Sequence, residues 1–227
     1  MPASQVQGRW PRRLRRAGCR DLLRAMNRAP RLVSAAAMGA AGCAVLSAAF
    51  LLPAPDIWTR LISAIGLLGV LGLATLGPQR AAILRPRRND IALGAAAALL
   101  IYAAAWVLSL YGAVAAQARL FYTWRAGYSG ALVAATVAVA AISEELFWRA
   151  TVLRLLLGQL PMIAAVLAGT AMYALAHVAS GTWLLPLAAL GAGLVWSFLF
   201  AWTRNLTAPI VSHVLFDVLV LLIAPLA

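Results

Sequence analysis

Five acidic or histidine side chains fall inside the apolar second half of this chain: Glu144, Glu145, His177, His213 and Asp217. The first two are its only glutamates, and His177 and His213 are its only histidines. Carboxylates gathered with imidazoles can activate water, relay protons or ligate a metal. Such groups cost about 3 kcal/mol each at the centre of a membrane helix, and they usually face a protein interior or cavity. Spacing sharpens the pattern. Glu145 and Arg149 are four residues apart, so one helix face can pair them. Glu144 then points about 100° away, free to meet something else. Tyr173 and His177 are four apart, and so are His213 and Asp217. Three separate segments thus each present a polar pair on a single face.

The elements that must carry these pairs are membrane helices. The chain has 227 residues, 64% of them hydrophobic, and a mean hydropathy of +0.89. A soluble domain of this length is about half apolar. Apolar runs long enough to cross a ~30 Å hydrocarbon core recur, which predicts an all-α polytopic transmembrane bundle. Seven spans are expected, near 32–52, 57–77, 91–112, 129–157, 161–180, 183–203 and 206–225. The polar pairs then fall on the fourth, fifth and last helices. GLLGVLG at 66–72 supplies small residues for close helix packing. No alternating β-barrel segments occur.

All 19 basic residues are arginines, and the formal charge is +13. Nine of them precede the first span, between Arg9 and Arg31. Residues 1–31 read as a basic cytoplasmic tail touching anionic lipid rather than as a nucleic-acid arm. Residues 32–227 read as the transmembrane domain. Arg80, Arg85, Arg87 and Arg88 lie two crossings later, so the second turn is cytoplasmic too. Residues 113–128 are expected as an external loop. The protein is expected to be integral to a bacterial inner membrane, with a cytoplasmic N-terminus. The first apolar run follows a long basic stretch and is itself span-length, so no cleavable signal is expected. Cys19 and Cys43 form neither a disulfide nor a zinc-ligand spacing.

Residues 144–217 resemble the CPBP intramembrane proteases, the family of CAAX proteases and bacteriocin-processing (Abi) proteins. The EExxxR motif corresponds to Glu144-Glu145-Leu-Phe-Trp-Arg149. FxxxH corresponds to Tyr173-Ala-Leu-Ala-His177, with tyrosine in place of phenylalanine. HxxxN/D corresponds to His213-Val-Leu-Phe-Asp217. All three occur in order, on adjacent spans, within a motif-bearing region of about 129–225. EELFWR also resembles members associated with bacterial C-terminal sorting tails. Two departures stand out: Ala150 where a glycine commonly follows the arginine, and Asp217 where CAAX-type members often have asparagine. Asparagine can donate to an oxyanion, whereas ionised aspartate cannot.

The resemblance implies a glutamic-type intramembrane peptidase. Glu144 is the general base on water, helped by His177, and Arg149 holds Glu145. His213, with Asp217 orienting it or donating as a protonated acid, stabilises the oxyanion. Its substrate is a membrane-anchored protein or peptide, cut near its C-terminus. Two histidines with carboxylates also suit zinc, but the expectation is no metal or other cofactor. The three pairs are expected to converge in the cytoplasmic half of the membrane. Tyr173 is read as packing, and Trp148, Trp183, Trp196 and Trp202 as core or interfacial anchors. Arg154 and Arg204 are read as topogenic arginines near span ends, and Asn205 as a cap of the last helix. Two other function classes stand beside this one. A non-catalytic scaffold or bacteriocin-immunity protein would use the same fold. A proton-coupled transporter would more often show repeat symmetry, which is not visible here.

Overall fold

The computed structural model describes residues 12–53 and 56–226, with side chains from Arg31 onward. The tail expected over 1–31, Arg31 apart, therefore lies outside the described side chains. The chain runs α1 (Arg12–Leu51), α2 (Ile57–Ala74), a short turn into α3 (Arg80–Leu84), α4 (Arg88–Ser109) and α5 (Gly112–Trp124). Next, α6 (Gly130–Glu144) continues through a π-helical stretch, Glu145–Leu153, into α7 (Arg154–Leu157). Then come α8 (Met162–Leu175), α9 (Leu184–Thr203) and α10 (Thr207–Val218), which ends in a second π turn, Leu219–Ile223. The described residues form an all-α bundle.

Among the described residues, six helical segments are long and apolar enough to cross a membrane: Arg31–Leu51, Ile57–Ala74, Arg88–Ser109, Gly130–Leu157, Met162–Ser180 and Leu184–Thr203. The seventh expected span is an apolar helix too, but shorter, at Thr207–Ile223. Ala224 leaves helical geometry (φ −140°, ψ 76°) directly before Pro225, a residue that disfavours helix in its predecessor. The loop expected over 113–128 is also different, since most of it is α5. The Trp58 indole donates to Trp124 O at 2.5 Å, the Thr182 hydroxyl to Gln117 Oε1 at 2.6 Å, and the Tyr122 hydroxyl to Val220 O at 3.2 Å. Three neighbours thus fix a helix that, at 13 residues, is too short for a span.

Caps set several helix starts. Asp56 accepts from the Trp58 and Thr59 amides, at 3.0 and 3.2 Å. Hydrogen bonds from the Thr59 hydroxyl and amide and from the Tyr128 hydroxyl pull its carboxyl down to about 2. Asn205 is fully buried, and its Oδ1 accepts the first amide of α10, Thr207, at 2.8 Å. Its Nδ2 donates to Ala82 O and Arg85 O, both at 3.0 Å. The expected cap therefore also clamps the α9–α10 turn onto α3.

The helices meet at glycines. A Cβ on Gly72 would lie 2.7 Å from the backbone carbonyl of Leu146, and one on Gly69 would lie 2.6 Å from Ser143. Gly66 faces open space. The GLLGVLG stretch therefore brings α2 into backbone contact with α6 and its π continuation through two of its three glycines. Gly42 of α1 lies against Phe147 and Trp148, and Gly94 of α4 against Ala208 O. These close approaches position Glu144 and Glu145 between α2, α8 and α10.

Candidate active site

Both glutamates come from the point where α6 turns into π-helix. Each π turn widens the ring from i→i+4 to i→i+5, which re-aims side chains, and such segments gather at functional sites. The widened turn is closed at its end by the Arg154 amide on Arg149 O. The Thr151 hydroxyl donates to Leu146 O at 3.2 Å and meets the Thr75 hydroxyl at 2.6 Å.

Glu145 is fully buried, and one of its oxygens serves two partners. Oε1 is 3.1 Å from Arg149 Nη1 and 2.9 Å from His213 Nδ1. The first contact is an ion pair without hydrogen-bond alignment, because Arg149 Nη1, Arg149 Nε and Glu145 Oε2 all lack a hydrogen-bond partner. Arg149 instead donates from Nη2 to Gly193 O at 3.2 Å and lays its guanidinium 4.3 Å over the Tyr173 ring. The expected Glu145–Arg149 pair is present, with His213 as an added member.

Glu144 is nearly as buried, at 6% exposure, and faces the two histidines. Its Oε1 is 4.0 Å from His177 Nε2, and its Oε2 is 4.0 Å from His213 Nε2. The Tyr173 hydroxyl donates to Oε2 at 2.6 Å. His177 Nδ1 lies 2.8 Å from Tyr173 O; a carbonyl only accepts, so Nδ1 carries the proton. In the neutral ring, Nε2 then turns a lone pair toward Glu144. His213 stacks on Trp196, with ring centroids 3.7 Å apart and planes 19° apart. The Trp196 indole is held in turn by Ser212 Oγ at 3.0 Å. Asp217 Oδ2 is 3.6 Å from His213 Nε2, and its side chain is 25% exposed. The other five expected site residues are almost sealed, so the cluster opens beside Asp217.

All six expected residues therefore come together, and two neighbours join them. Tyr173, expected as packing, hydrogen-bonds Glu144. Trp196, expected as a core or interfacial anchor, is buried and forms the wall behind His213. The tyrosine was visible in its i,i+4 spacing to His177, but no local spacing reports a bond to another helix. Trp183 and Trp202 are exposed as anchors would be, and Trp148 is buried in the core. Arg154 is committed elsewhere: it donates to Ala150 O, Gln79 Oε1 and Thr75 O at 2.6, 3.0 and 2.9 Å.

The expected depth needs correction. His177 lies beside Phe50, with ring centroids 6.3 Å apart, and Phe50 is next to the end of α1 at Leu51. It also lies close to Ser180, the end of its own span. His177 thus sits toward the face opposite the Arg80–Arg88 turn. The span Met162–Ser180 is 19 residues, enough to cross a bilayer but not to project from it.

Among the described residues, no group of three or more His, Cys, Asp or Glu side chains is arranged to hold a metal ion. The donors are already engaged: His213 Nδ1 and Arg149 share Glu145 Oε1, and Tyr173 occupies Glu144 Oε2.

Neither curated proteins nor solved structures gave a match to the chain. Residues 126–219 match the family model described as Type II CAAX prenyl endopeptidase Rce1-like. The segment that carries every glutamate and histidine of this membrane protein is therefore similar to the Rce1-like domain of the CAAX-protease (CPBP) clan.

Proposed function

We propose that the protein is an intramembrane endopeptidase that uses Glu144 to activate water against a peptide bond of a membrane-anchored substrate. The observation that carries this reading is the pair of 4.0 Å gaps between one buried carboxylate and two imidazole Nε2 atoms. A gap of that size is too long for a direct hydrogen bond and fits one shared water. Water between Glu144 Oε1 and His177 Nε2 gives its proton to the carboxylate as its oxygen attacks the scissile carbonyl carbon. The carbonyl π electrons move to oxygen, and the resulting oxyanion is met by His213 Nε2. That donation needs the imidazolium form. Glu145 at Nδ1 and Asp217 near Nε2 are both acceptors, so together they suit a ring with two N–H groups. Collapse breaks the C–N bond, and the proton held on Glu144 passes to the leaving nitrogen. The roles of Glu145 and Arg149 are to orient His213 and to neutralise one another.

The substrate class in this proposal is a protein anchored in the same bilayer and cut near its C-terminus, a sorting-tail or prenyl-protein-like segment. The test is cleavage of such tails in liposomes by wild type and Glu144→Gln. Removal of the general base should lower kcat by about 10²- to 10⁴-fold. A Glu144→Gln protein that cleaves at the wild-type rate removes the assignment. Exhaustive chelation should leave the wild-type rate unchanged; loss restored by zinc would replace glutamate-activated water with metal-activated water.

A further inference from the structure

Glu144 has two oxygens, and they are not equivalent. Oε2 receives the Tyr173 hydroxyl at 2.6 Å, whereas Oε1 faces His177 Nε2 across 4.0 Å. The tyrosine ring is wedged in place. Its centroid is 4.7 Å from that of His177 and 5.7 Å from that of Trp148, and the Arg149 guanidinium covers one face. Gly193 lies so close that a Cβ there would come 2.7 Å from Tyr173 Cδ1. The hydroxyl therefore has one direction available, toward Glu144. A phenylalanine at 173 would keep all of those ring contacts and lose only the oxygen.

We infer that Tyr173 is a positioning residue: its hydroxyl locks the Glu144 carboxylate so that Oε1 is the atom that takes a proton from water. The inference rests on the reading of Glu144 as the base. A carboxylate anchored at one oxygen cannot rotate to exchange the two, and the water site stays on the His177 side. Other ionisable groups around Glu144 are Glu145 and Arg149 on its own helix, His177 just beyond the end of α8, and His213 and Asp217 on α10. Helix α9 has no ionisable side chain. On α2, Arg60 is turned to Asp56 O, and on α4 the Tyr102 hydroxyl is on Ala224 O. Tyr173 is thus the one hydroxyl engaged with this carboxylate among the described hydrogen bonds.

The chain's two glutamates make the test direct, because ¹³C-glutamate labelling reports on Glu144 and Glu145 alone. Infrared spectra of the labelled full-length protein in liposomes should lose one carboxylate band in Glu144→Gln. In Tyr173→Phe that same band should shift while the Glu145 band stays in place. In the cleavage assay, Tyr173→Phe should lower kcat by about 10- to 100-fold, the loss of a hydrogen bond to a charged group, with KM within about twofold. An unmoved Glu144 band, or a wild-type kcat in Tyr173→Phe, overturns the inference. Cleavage retained by Glu144→Gln instead overturns the assignment of the base, whatever Tyr173→Phe does.

Discussion

Arg149 has exchanged water for a carboxylate, a carbonyl and two aromatic faces, and it retains 1% exposure. A buried ion pair gains little over a well-packed apolar substitute, but removing one member strands the other's charge. Arg149→Met should therefore destabilise the protein by about 3–5 kcal/mol, and Glu145→Gln/Arg149→Met should recover much of that loss. Unfolding of the four proteins of the cycle in detergent measures the coupling; additive losses would mean that the pair is not a unit. Lysine is no replacement here, since a point charge cannot both reach Gly193 O and lie flat on Tyr173. At this scale the sequence was readable wherever partners share a helix. Glu145 with Arg149 followed from spacing alone. The bonds from Tyr173 to Glu144 and from His213 to Glu145 cross between helices, and no periodicity encodes them.

The glycines of α2 show how elements position these residues. Ala at 72 would press a methyl against the Leu146 carbonyl, which is backbone and cannot swing aside. Gly72→Ala should cost about 1–3 kcal/mol as overpacking and displace the π segment that carries Glu145. Gly66→Ala meets nothing and should be neutral or stabilising by up to about 1 kcal/mol, since alanine favours helix. Thermal unfolding of the two variants gives the comparison; equal losses would show that α2 does not approach α6 this closely. The helices themselves were legible from hydropathy, and six of the seven expected spans have full span length. The π stretch was not, because ELFWRATVL has no local feature that distinguishes i→i+5 from i→i+4. Its widening follows from packing against Gly72 and from the threonine contacts. Helix α5 was missed because hydropathy finds spans, and this helix is held by bonds to its neighbours rather than by burial.

The molecule as a whole has two unlike faces, and their charge predicts its orientation. On one, Arg80, Arg85, Arg87 and Arg88 surround the α2–α4 turn, with the α7–α8 turn attached through Arg154 and the α9–α10 turn through Asn205. On the other lie α5, the start of α2 and the C-terminus, tied together by Trp58, Tyr122 and Arg125. The arginines there are fewer, and two of them are engaged: Arg60 donates to Asp56 O and Arg125 to Leu221 O. The positive-inside rule then predicts a cytoplasmic Arg80–Arg88 face and an outward His177 end of the site. Single cysteines at Arg87 and Tyr111, in a protein with Cys19 and Cys43 replaced, test this directly, because both positions are exposed. A membrane-impermeant thiol reagent should label the Tyr111→Cys protein in intact cells and the Arg87→Cys protein only in inverted vesicles. The reverse pattern would invert the bundle and turn the His177 end toward the cytoplasm. A substrate tail would then have to reach the opening beside Asp217 from the other leaflet.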